Sequence, residues 1–115
     1  ALARRAYLLW HASFTHLFRR HERAQSHPRP ATFDLVVERG QGVAGSPATV
    51  AKFLSAQLDE TGCNYMVGQF AFGDLTLAES LRSIGLFASD VMQVLRNKAV
   101  VDGEETAGVA AQVRG

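Results

Sequence analysis

The run Tyr65 to Phe72 (YMVGQFAF) constrains the fold more than any other stretch of the chain. All of its residues except Gln69 are aromatic, apolar or small, and it lies between Asn64 and a Gly73-Asp74 turn signal, so it predicts a β-strand. Side chains alternate along a strand, which puts Met66, Gly68 and Phe70 on one face and Tyr65, Val67 and Gln69 on the other. Both faces are mostly apolar, the pattern of a parallel strand covered on two sides. Such a strand needs neighbours along its edges and packing over both faces.

The flanking segments supply helices. Ser46 is a good N-cap and Pro47 suits the first helical position, where its missing N–H costs nothing. Val50, Phe53, Leu54 and Leu58 then recur at helical spacing, and Gly62 marks the stop. After the strand, Thr76 and Glu79 have capping-box spacing, and a stripe from Leu77 through Leu81, Ile84, Phe87 and Val91 to Leu95 predicts a helix to about Asn97. Upstream, Tyr7, Trp10, Phe14 and Leu17 form one stripe of a helix from Leu2 to about Arg23, with Arg4, Arg5, His11, Thr15 and Arg19 mostly on the solvent side. Pro28 and Pro30 end it. The apolar residues of Thr32 to Arg39 suit a short helix or a strand, with a helix closed by Gly40 the favoured reading, and Gln41 to Ala44 reads as a minimal strand. Small residues, glycines and acids from Ala99 onward carry little periodicity, so residues 98–115 are expected to form a loose tail. Strands alternating with helices imply parallel βαβ units, an α/β class.

With 115 residues the chain has room for one small domain, and 47% apolar with 20% charged residues is ordinary for a globular protein. A formal net charge of +1 gives no global field toward nucleic acid or membrane. Cys63 is the single cysteine, which rules out an intrachain disulfide and suits a reducing, cytoplasmic setting. Arginines break the apolar runs well short of a membrane span. The opening at Ala1, inside a helical pattern, is what a cut fragment would show, and removal of an initiating Met would look the same.

Few residues point to chemistry by themselves. His11, His16 and His21 are five apart, which turns each by about 140° from the last, so they do not converge on one metal ion; with His27 they read as solvated or partly packed. The arginine-rich first helix has the charge to touch phosphates, but its aromatic stripe reads as core, and no nucleic-acid partner is expected. Gly45-Ser46-Pro47 exposes helix N-terminal N–H groups, yet it lacks the lysine and glycine spacing of a nucleotide loop. Cys63, with no histidine near it in sequence, reads as a small packed residue. Asp34, Glu38, Asp59 and Glu60 read as surface charges, and no catalytic carboxylate pair stands out.

Three stretches are more specific: GSPATV (Gly45 to Val50), TGCNYMVGQFAFGDL (Thr61 to Leu75), and the helix ending LFASDVMQVLR (Leu86 to Arg96). Together they resemble the end of the bacterial luciferase-like flavin-dependent monooxygenases. The resemblance covers roughly residues 40–97 and extends more loosely over 1–39. It implies that residues 1–97 are the C-terminal part of a (β/α)8 TIM barrel, with Gly-Ser-Pro after the seventh strand and Phe-Gly-Asp after the eighth. The family usually has proline after Val-Met, where this chain has Gln93, so no proline kink is expected in the last helix.

The resemblance further implies use of reduced FMN, or in some relatives a deazaflavin, with O2 and a small organic substrate, and a flavin reductase as a partner. Chemistry in such barrels sits at the C-terminal strand ends. That makes Gly45, Ser46, Gln69, Phe70, Phe72, Gly73 and Asp74 the cofactor or substrate pocket candidates, with no catalytic acid or base named. Two strands cannot close a barrel of at least about 200 residues, so the chain reads as a fragment, a degenerate homologue or part of an assembly that covers the open face. The chain alone is therefore expected to be inactive, and its uncovered apolar side predicts a homo-oligomer. The reading from another class is a small non-enzymatic interaction module with a basic N-terminal helix.

Overall fold

A computed structural model describes the backbone of residues 1–20 and 29–114 and the side chains within 1–17 and 29–103. The described residues are largely helical: α1 (Leu2–Arg20), α2 (Phe33–Glu38), α3 (Pro47–Thr61), α4 (Leu77–Leu86), a π turn (Phe87–Val91) and α5 (Met92–Arg114). The chain divides into two compact units. Ala1–Ala44 with Val67–Ile84 form the first, and Gly45–Met66 with Gly85–Gly115 form the second.

In the first unit α1 buries Ala6 and Tyr7, and α2 contributes Val36. The aromatic stripe of α1 faces inward as its spacing requires. Tyr7 and Trp10 lie 5.4 Å apart between ring centroids, Trp10 and Phe14 4.7 Å, and Phe33 of α2 meets Tyr7 edge-on at 5.9 Å. Helix α2 begins where the Leu35 N–H donates to Thr32 Oγ1 and ends in a left-handed Gly40, whose N–H donates to the Val37 carbonyl.

The second unit packs α3 against the π turn and α5, around Ala51 and Val91. The Thr49 N–H donates to Ser46 Oγ at 3.3 Å, Pro47 opens α3, and left-handed Gly62 (φ 68°) closes it. Lys98 of α5 reaches Asp59 of α3 at 2.8 Å and Asp102, one turn along its own helix, at 3.8 Å.

Three expectations change. Neither Gln41 to Ala44 nor Tyr65 to Phe72 enters a ladder, and among the described residues there is no strand. A strand's N–H and C=O groups bond to neighbouring strands, not within the segment, so strand-forming side chains alone give only extended chain. The helix-rich half of the α/β expectation holds; the paired βαβ half does not appear. Second, the helix from Leu77 is interrupted by the π turn before it continues as α5. A π turn takes up an extra residue, so positions after it lose the register set before it. Third, α5 runs on through the stretch expected to be a loose tail. His21, His27 and Pro28 lie outside the described residues.

Because Ser46 satisfies an end N–H of α3, Ser46→Ala is expected to destabilise the chain by about 0.5–2 kcal/mol in a denaturant titration. Ser55→Ala, within the same helix, should cost much less; equal costs would mean that the helix does not start there.

Candidate functional site

The predicted pocket residues after the Tyr65 run meet α1 at a single turn. Gly73 has φ +60°, a left-handed conformation that side chains disfavour. A Cβ there would run into the backbone of Ala6, against its carbonyl oxygen and within 2.6 Å of its carbonyl carbon. Glycine is needed on both counts, since the turn lies directly on the helix. The Leu75 N–H closes the turn by donating to the Phe72 carbonyl at 3.3 Å.

One residue before Ala6, Arg5 grips the same turn. Its Nε lies 3.1 and 2.9 Å from the two carboxylate oxygens of Asp74, and its Nη2 donates to Glu79 Oε2 at 3.2 Å. Glu79 Oε2 also accepts the Thr76 N–H at 2.9 Å, while the Glu79 N–H donates to Thr76 Oγ1 at 3.2 Å. This reciprocal pair is the capping box its spacing predicts, opening α4. The Thr76 N–H, aided by the Thr76 hydroxyl and Arg5, holds the Glu79 carboxyl below its usual range against a modest opposing effect of burial. Arg4 makes a parallel grip on α2, with its Nε 2.9 and 3.1 Å from the oxygens of Asp34.

At the other side of α1, the Tyr7 hydroxyl donates to the Pro30 carbonyl at 2.6 Å, fixing the chain that enters α2. Burial raises the Tyr7 hydroxyl's pKa, offset in part by Arg29 and Arg39. The Arg29 guanidinium stands over Phe14 at 4.1 Å and Trp10 at 5.1 Å from the ring centroids.

The pocket candidates therefore fall into two groups. Gln69, Phe70, Phe72, Gly73 and Asp74 belong to the first unit, and Gly45 and Ser46 to the second. Phe70 and Phe72 are half-buried, and exposed Gln69 donates from Nε2 to the Ala71 carbonyl at 3.4 Å. Gly73 and Asp74 serve the turn itself. Ser46 Oγ is engaged by the Thr49 N–H and Thr49 Oγ1.

Cys63 is exposed rather than packed, since it follows the left-handed Gly62 as the chain leaves α3; its N–H donates to Thr61 Oγ1. Among the described residues no three His, Cys, Asp or Glu side chains converge as a metal site would need, and no helix is long and apolar enough to cross a membrane. Sequence reading placed Arg5 on the solvent side and missed its role. Its partner Asp74 is 69 residues away, and no local spacing links the two.

Two glycines separate strain from collision. Gly62→Ala meets open space and should cost only the left-handed penalty, about 1–2 kcal/mol. Gly73→Ala should cost more in the same unfolding measurement, because the turn must also lift off Ala6. Equal costs would remove the close approach.

The Glu79 carboxyl gives a pH signature. Its folded pKa lies below the unfolded one, so its stabilisation is complete above the ordinary Glu value of about 4.3 and is lost as pH falls through the folded value. In an NMR acid titration the Thr76 amide should report a midpoint below about 4.3, and Glu79→Gln should abolish that step. A midpoint at the ordinary value would show the capping contact absent in solution.

The chain is similar to the protein named Uncharacterized protein y4wF of Sinorhizobium fredii, with 37% identity over 92 residues. The match takes in 80% of this chain and 27% of the relative, so the chain spans about a quarter of that protein's length. No family model matches the chain, and no solved structure matches it.

Proposed function

We propose that this chain is the C-terminal quarter of a luciferase-like monooxygenase, a (β/α)8 barrel that uses reduced flavin and O2 to oxygenate a small organic substrate. The observation that carries the reading is the apolar surface exposed among the described residues. Leu77, Leu81 and Ile84 fall at i, i+4 and i+7 of α4 and are 75%, 57% and 44% exposed. In the Tyr65 run, Tyr65 and Val67 are 81% and 80% exposed. An extended run and a helix face of this kind fit a layer inside a larger barrel, and a second copy of the chain is the other way to cover them. The size of the relative supports the same reading. A match of 92 residues over 27% of the relative makes it about 340 residues long, within the span of about 200 to over 400 for such barrels.

The residues present fit one wall of a flavin site. Phe70 and Phe72 offer aromatic faces, and the exposed Gln69 amide offers hydrogen bonds to a ring edge. Gly73 and Asp74 are turned to structural use by Ala6 and Arg5. Bound reduced FMN, or a deazaflavin in relatives confined to hydride transfer, would supply the reducing electrons. This chain's part is to wall the ring and exclude water. The basic-helix interaction module has less support, because Arg4 and Arg5 are already committed to Asp34, Asp74 and Glu79.

A chimera tests the reading. The Sinorhizobium relative carrying residues 1–97 of this chain in place of its own matched stretch should bind reduced FMN and consume O2 with an aldehyde or sulfonate. The 115-residue chain alone should do neither. A folded chimera that binds neither FMN nor a deazaflavin, when the unaltered relative binds one, would falsify it, as would turnover by the isolated chain.

A further inference from the structure

The turn that follows Phe72 is shaped from outside. Gly73 rests on the Ala6 backbone, Asp74 is held by Arg5 Nε, and Glu79, which caps α4, is held by Arg5 Nη2. A single guanidinium thus links three elements: α1, the turn and the start of α4. Lysine cannot reproduce this, because its ammonium is one point charge and the contact uses two edges of a planar fork.

We infer that Arg5 is a positioning residue, which sets the direction of Phe72 and of the neighbouring Phe70 and Gln69 by fixing the turn that follows them. The inference deepens the proposed flavin wall and rests on that reading for its functional meaning. Its structural content stands apart from it. Phe72 is joined directly to Gly73, and its carbonyl accepts the Leu75 N–H, so fixing Gly73 and Asp74 leaves the Phe72 backbone little freedom. The adjacent Arg4 is the internal control: same helix, same charge, similar fork, but its partner is Asp34 of α2.

The test uses the 115-residue chain, with amide hydrogen exchange and 19F spectra of fluorophenylalanine-labelled protein. Arg5→Ala should speed exchange of the Leu75 and Thr76 amides by about fivefold and shift the Phe72 and Phe70 signals. The Phe33 signal and the amides of α3 should not move. Arg4→Ala should leave the turn unchanged, and Arg5→Lys should fall between Arg5→Ala and the unmodified chain or match Arg5→Ala. Three results would overturn the inference: no change at the turn in Arg5→Ala, equal acceleration in both compact units, or Arg5→Lys indistinguishable from the unmodified chain. Carried into the chimera, Arg5→Ala should weaken reduced-flavin binding by about fivefold and Arg4→Ala should not; flavin binding insensitive to Arg5 overturns the inference. Failure of the chimera to bind any flavin, with the local changes at the turn present, sinks the flavin reading and leaves the positioning of the turn supported.

Discussion

The backbone contact between Gly73 and Ala6 carries the first compact unit, because it brings together chain 67 positions apart with no side chain between. Ala6 is fully buried beneath the turn. Once these backbones touch, Arg5 is within reach of Asp74 and Glu79, and the same guanidinium holds the carboxylate of the capping box that starts α4. Exposed ion pairs contribute little individually. Here they act on a geometry already imposed by close packing, and their effect is directional more than energetic.

The second unit is assembled differently. Its helix α3 has both ends determined by its own residues, with Ser46 and Pro47 at the start and Gly62 at the end. Packing around Ala51 and Val91 then joins it to the π turn and α5. Lys98, shared between Asp59 and Asp102, adds a charged link across that junction.

What was legible in the sequence was local. Ser46, Gly62, Gly40 and the Thr76–Glu79 pair all act within four residues of their partners, so spacing alone revealed them. The aromatic stripe of α1 was legible for the same reason. The Arg5–Asp74 grip, the Tyr7–Pro30 hydrogen bond and the Gly73–Ala6 contact join residues 69, 23 and 67 positions apart, and no periodicity encodes them. The Tyr65 run shows the opposite failure. Its strand-forming composition is a local signal, but a strand exists only with partners, and the described residues contain none. Phe70, Phe72 and Gln69 could be nominated from the chain, and Gly73-Asp74 read as a turn, whereas the pairing of Asp74 with Arg5 could not be read.

The same run has a colloidal consequence. From Thr61 to Gly73 the chain carries no Asp, Glu, Lys or Arg, and its first aromatic residue, Tyr65, is 81% exposed. Natural sheet proteins guard such stretches with charges or prolines, which make pairing with a neighbouring molecule unfavourable. Here the charges, Glu60 and Asp74, only flank the run, so within it cross-β stacking between molecules competes with folding. Whether the chain stays dispersed therefore depends on its concentration.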